Sequence, residues 1–213
     1  RIDLPFGAEY TRLSVFSGLV PSGGLCRHRQ RMTAGRWIEG SVQQDTMTTA
    51  AERWVQEQER LARPARVYWC DGTDGEAWRL LEIGMKEEKL NGPVFRELNQ
   101  KLWPTAYYHR SHPTDVARTE KLTYICQPTR EDSGPNNNWM DIDKAKKAMT
   151  RLSDGCMRGR TMYVIPYMMG NPESPYAKAC MMVTDSSYVA ISMRIMARIG
   201  TPILEKIKNR EDF

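Results

Sequence analysis

The sequence predicts an α/β domain built on a single mixed sheet over residues 45–213, preceded by an irregular or disordered basic tail over residues 1–44. Three observations lead there. Segments of helical periodicity are interspersed with short apolar runs bounded by Gly, Pro and Asp, the punctuation of strands. No internal repeat occurs, so a repeat array is out and one layered core must bury the apolar faces. Hydrophobic residues make up 40% of the 213 residues, enough for a core of that size.

The first 44 residues are rich in Gly, Ser and Arg, with a turn at Pro21-Ser22-Gly23-Gly24 and a basic knot from Arg27 to Arg31. They begin without Met, which fits a start further upstream or a processed leader. A mitochondrial presequence is Arg-rich and poor in acids, and Asp3, Glu9 and Glu39 count against one. From residue 45, Thr48 or Thr49 caps a helix through AAERWVQEQERLAR that sets Trp54, Val55, Leu61 and Ala62 on one side and stops at Pro64. VYWC then reads as a strand closed by Asp71-Gly72. A second helix is predicted over about 76–89, carrying Leu80, Leu81, Ile83 and Met85, and a shorter one over 94–102, ending at Pro104.

LTYICQ is a strand closed by Pro128, and SGPNNN a surface loop. Asp141 or Asp143 starts a helix through KAKKAMTRLSD, with Gly155 as its left-handed cap. GRTMYVIPYMMG is a buried strand of the parallel kind, apolar on both faces. A proline-punctuated turn and a second strand follow. Thr184, Asp185 or Ser186 then caps a final helix whose apolar face carries Val189, Ala190, Met193, Ile195, Met196 and Ile199, and Gly200 closes it.

Composition excludes several function classes. No window approaches the roughly 18 uncharged apolar residues of a membrane-spanning helix, and mean hydropathy is −0.60. A net charge of +5 favours anionic partners, phosphate-bearing metabolites included. The aromatics sit inside apolar runs and are not interleaved with Lys and Arg as a base-stacking groove requires, so no nucleic-acid partner is expected. Cys26, Cys70, Cys126, Cys156 and Cys180 form no CxxC, and His28, His109 and His112 do not join them at zinc spacing. They read as inert core thiols in a reducing compartment.

Two stretches carry a resemblance. Residues 154–205 hold, in order, GRTMYVIP, paired prolines after Met-Gly, TDS followed by SYV, and SMRIMARIGTPIL. Residues 112–121, HPTDVARTEK, keep Asp115, Val116, Ala117, Arg118 and Glu120. Together they resemble the N-terminal domain of the GTP-dependent phosphoenolpyruvate carboxykinases, over about residues 65–208. This chain departs from the family pattern in Ser111-His112-Pro113, where the family has an acidic lead-in, and in Lys121, which comes one place early.

The resemblance implies a carboxykinase N-terminal type of domain and a carboxy-lyase of gluconeogenesis, converting oxaloacetate and GTP to phosphoenolpyruvate, GDP and CO2. It implies that Arg118 contacts substrate; a guanidinium fork suits the carboxylate and phosphate of those molecules. Glu120 is tied, by the same resemblance, to closure of a lid from the other domain. Arg160 reads as a structural ion pair. Arg194 and Arg198, four apart, read as sharing one helix face at a solvated edge or interface. GTP and manganese or magnesium are expected for the full enzyme but have no site here: no GxxxxGK followed by Ser or Thr occurs, and Gly18 to Gly24 lacks the Lys. The expectation is therefore an N-terminal fragment without catalytic residues of its own and inactive alone, the alternative being a non-catalytic anion-binding or interaction module derived from that fold. It would be a monomer, cytoplasmic or alternatively mitochondrial, walling one side of a cleft completed by the C-terminal nucleotide and metal domain.

Overall fold

The computed structural model describes residues 14–15, 48–89, 92–110, 123–135, 138–210 and 212–213. Within the tail, Ser14–Val15 (β1) pairs antiparallel with Tyr108 and His109; the rest of residues 1–47 lies outside the described residues.

A capping box starts α1 (Ala50–Ala62). The Thr49 hydroxyl accepts the Glu52 N–H at 3.2 Å while the Glu52 carboxylate accepts the Thr49 N–H at 2.9 Å. Val55 and Ala62 are buried on its inner face, and Arg63, left-handed at φ 52, stops it ahead of Pro64. β2 (Arg66–Trp69) is the expected short strand. α2 (Asp74–Lys86) is capped by Thr73, so it begins ahead of the expected Glu76 and ends sooner; Glu88–Lys89 (β3) pairs with Gly92–Pro93 (β4) instead of extending it.

The helix expected over 94–102 does not form. Arg96–Glu97 (β5) pairs antiparallel with Tyr107–His109 (β6), while Val94 and Phe95 are buried. The cause is tertiary. The Phe95 ring fills the space at Gly84 of α2, where an added Cβ would stand 2.4 Å from it, and a segment this short gains little from helix propensity by itself.

β7 (Tyr124–Cys126) is the expected strand, but it pairs in parallel with Asn138–Met140 (β8), which the sequence reading placed outside any strand. Asp141 then caps α3 (Ile142–Ser153), accepting the Lys144 N–H at 3.0 Å. Gly155, at φ 67, takes the left-handed position foreseen for it and donates to the Leu61 carbonyl at 2.8 Å. That bond, with an Arg63–Asp154 ion pair, ties the end of α3 to the end of α1.

β9 (Thr161–Met169) and β10 (Lys178–Thr184) form an antiparallel pair, followed by α4 (Ser187–Met196), β11 (Arg198–Ile199) and α5 (Thr201–Ile207). The single final helix of the sequence reading is thus two helices and a strand. Ala197 turns extended (φ −147), β11 pairs with β9, and Gly200 at φ 94 opens α5 where it was expected to close α4. Ile195 and Met196 consequently point outward, 62% and 66% exposed, where burial was expected.

The mixed sheet centres on β9, as the apolar run predicts. One edge of β9 carries β10 along most of its length. The other is shared: β2 runs parallel beside Thr161–Val164, and β11 antiparallel beside Tyr167 and Met168. Pro166, which has no N–H to give, falls at the seam, and its carbonyl accepts the Gly200 N–H at 2.9 Å. Side chains alternate across the sheet. Tyr163 and Ile165 join Leu80, Leu81, Phe95 and Ile191 in one core, whereas Met162 and Val164 meet Val55 of α1 on the opposite face. Each such fully buried aliphatic contributes about 1.5–3 kcal/mol.

The cysteine expectation needs correction. Cys70 is a core thiol, but Cys126 on β7 and Cys156 in the turn after α3 are exposed. The apolar neighbours of Cys126 belong to a ribbon open to solvent.

Candidate functional site

Arg118 and Glu120 lie in residues 111–122, outside the described residues. The flanking elements are β6, ending at His109, and β7, starting at Tyr124. His109 is held in place structurally: its Nδ1 lies 2.6 Å from the Val94 carbonyl and its ring stacks on Tyr188 with centroids 3.8 Å apart. Arg160 pairs with Asp185 and donates to the Cys156 carbonyl, the structural role expected for it.

The described residues hold a groove of about 490 Å³ just beyond the carboxyl ends of the parallel strands β2 and β9, lined by Gly72, Glu173, Arg194, Arg198, Ile203 and Lys206 among others. Ligands of open α/β sheets commonly sit at such strand ends. Arg194 and Arg198 do not share a helix face as expected, since β11 intervenes, but both reach this groove. Arg194 is committed internally: Nη1 donates to the carbonyls of Gly72 (2.8 Å) and Thr73, and Nη2 to Asp74 Oδ1 at 2.6 Å. It clamps the turn after β2. Arg198 donates to the Gly170 carbonyl at 2.9 Å and makes no ion pair among the described residues. Lys206 pairs with Glu173 and holds that carboxyl below the usual carboxylate range.

Behind the groove lies a buried acid that the sequence reading missed. Glu76 is fully buried and accepts the N–H groups of Asp71 and Gly72, each at 2.8 Å, one on each carboxylate oxygen. Burial pushes its carboxyl up from 4.5, and those two N–H groups oppose the push. Arg79 reaches Asp71 Oδ2 at 3.3 Å and the Tyr68 hydroxyl at 3.4 Å; burial raises that phenol to about 12. The available signal was Thr73 with Glu76 three residues on, the spacing of a capping box.

Chemically, the groove can attract and orient an anion. Among its lining residues named above there is no nucleophile or free base. Among the described residues no group of three or more His, Cys, Asp or Glu could hold a metal ion, and no helix is long and apolar enough to cross a membrane.

Comparison with known proteins gives consistent matches. The family described as Phosphoenolpyruvate carboxykinase N-terminal domain matches residues 53–213. The phosphoenolpyruvate carboxykinase (GTP) of Anaeromyxobacter dehalogenans (strain 2CP-C) is 46% identical over 160 residues, 75% of this chain and 26% of the relative. That of Renibacterium salmoninarum is 41% identical over 172 residues, 79% and 28% respectively, and that of Neocallimastix frontalis 42% over 152, 71% and 24%. The chain spans about a quarter of the length of these relatives.

Proposed function

Because this chain belongs to the phosphoenolpyruvate carboxykinase N-terminal domain family, we propose that it is the N-terminal part of a GTP-dependent phosphoenolpyruvate carboxykinase and forms one wall of the substrate cleft. The full reaction takes oxaloacetate and GTP to phosphoenolpyruvate, GDP and CO2. Loss of CO2 leaves an enolate whose oxygen attacks the γ-phosphorus, and GDP departs. Such a transfer relies on positioning and on cations that stabilise developing charge.

The observation that carries the reading is the family match across 53–213, within which this sequence keeps Asp115-Val116-Ala117-Arg118. In the proposal Arg118 holds a carboxylate or phosphate oxygen of the substrate by paired N–H donors, a charge it cannot lose by deprotonation. Glu120 serves closure of the cleft. GTP and the manganese or magnesium ion are held by the C-terminal part of the enzyme. The domain runs over 45–213, joined by the strand Ser14–Val15 from the basic tail, and the protein works as a monomer in the cytoplasm, with the mitochondrion as the alternative.

Two measurements test this. In the 213-residue chain, phosphoenolpyruvate or oxaloacetate should raise the melting temperature, and Arg118→Ala should abolish the rise. In a chimera carrying residues 53–213 in place of the matched stretch of the Anaeromyxobacter enzyme, Arg118→Ala should lower kcat/KM roughly 30- to 150-fold, the loss of about 2–3 kcal/mol from charged hydrogen bonds. Equal protection and equal turnover with and without the Arg would remove Arg118 from the substrate site.

A further inference from the structure

The groove beyond β2 and β9 combines features that suit one class of ligand. Its volume of about 490 Å³ falls in the range of small-molecule sites, which set a few placed polar groups against an apolar surface. Here Ile199, Pro202 and Ile203 supply the apolar surface. The polar groups are cations from three successive elements, Arg194 of α4, Arg198 of β11 and Lys206 of α5.

These cations are not equally available. The Arg194 side chain is 13% exposed and tied to Asp74 and to two backbone carbonyls. Lys206 holds Glu173, whose side chain is 79% exposed, so the pairing is weak and exchangeable. Arg198 commits one Nη1 N–H to the Gly170 carbonyl. A guanidinium has five N–H donors, and the others on Arg198 meet no partner among the described residues. Its positive charge therefore stands uncompensated by any described carboxylate, directly beside the apolar surface.

We infer that this groove binds a small organic anion, a carboxylate or a phosphate monoester with an apolar body. The anionic end sits on the Arg198 fork, whose planar donors match two oxygens at once. The body lies against Ile199, Pro202 and Ile203. Glu173 acts as a built-in competitor: its carboxylate holds Lys206, and an incoming anion takes its place and gains a second cation. No aromatic ring lines the groove, so stacked bases are a poor fit for the body.

Titration of the 213-residue chain with phenyl phosphate and with benzoate, followed by amide NMR, tests the site. All titrations use the Arg118→Ala background, which removes any anion held by that residue and keeps this inference separate from the substrate assignment. The probes should shift the amides of Gly170, Ala197 and Ile199 saturably, and the tighter of the two assigns the anionic end. Inorganic phosphate should bind about tenfold more weakly for want of the apolar body. Arg198→Ala should weaken the binding of phenyl phosphate about tenfold or more. Arg198→Lys should recover only part of that loss, because an ammonium keeps the charge without the fork. Glu173→Gln moves the other way: with the competitor gone, phenyl phosphate should bind about two- to fivefold tighter. Glu173 lies on an exposed turn, so this variant reads the site even where Arg198→Ala fails to fold. Unchanged affinity in Arg198→Lys and Glu173→Gln overturns the inference. Inorganic phosphate binding as tightly as phenyl phosphate also overturns it, leaving a patch of charge only. So do the same amide shifts arising with chain concentration alone, which make the occupant a second copy.

Discussion

Glu76 shows how much one side chain can organise. Its carboxylate fixes Asp71 and Gly72, whose carbonyls in turn receive the Thr201 N–H and the Arg194 guanidinium. Glu76→Gln replaces one acceptor oxygen with an amide NH2 facing a backbone N–H, and should cost about 1–3 kcal/mol. The sign of its pH dependence follows from the raised carboxyl. The folded state holds the Glu76 proton more tightly than the unfolded chain, so this contribution is largest below 4.5 and declines as pH rises through the folded value. Urea melts over that window should show the decline in the wild type and its absence in Glu76→Gln. A variant melting like the wild type at every pH would refute the role. The Thr73 and Glu76 spacing was present in the sequence, but it points to a carboxylate bonding the cap residue. Only the fold shows it reaching back past Thr73, whose N–H is taken by Asp71 Oδ1 at 2.7 Å.

At the scale of elements, α1, β2, α3 and the β9–β10 pair were legible, because caps, periodicity and apolar runs agreed with one another. The failures share a cause. Residues 94–102 and the end of α4 carry helix-compatible patterns, yet each is pulled from helix by a contact distant in sequence: Phe95 under Gly84, and β11 onto β9. Gly72 and Gly200 make the second contact possible by lying back to back. A Cβ on Gly200, already at φ 94, would stand 2.1 Å from the Asp71 carbonyl oxygen, and one on Gly72 would stand 2.6 Å from that of Ile199. Gly200→Ala should therefore cost about 3 kcal/mol or more. Gly159, at φ 73 with nothing within 4 Å, should cost only about 1–2 kcal/mol as Ala. Thermal melts of the two variants compare them directly, and equal losses would count against the packing argument.

Across the whole molecule, the candidate site was legible as a motif rather than as a place. Arg118 stands out through its neighbours Asp115, Val116 and Ala117, whereas the groove beside β2 and β9 assembles residues from 72 to 206 that no local pattern connects. Cys70 offers a global probe, since it is buried between β2 and the core and burial pushes its thiol up. Under native alkylation Cys126 and Cys156 should react first, and Cys70 only at the rate of whole-domain opening, tracking urea unfolding. Cys70 reacting alongside Cys126 would show a looser core. The shared edge of β9 also sets the timetable of assembly. Arg66 and Thr161, neighbours across β2 and β9, are separated by 95 positions. On a translating ribosome the VYWC run must then wait roughly 5–20 s for its partner, bare and adhesive throughout. Newly made chain is therefore most exposed to aggregation before Thr161–Val164 have emerged, and chaperone demand should concentrate there.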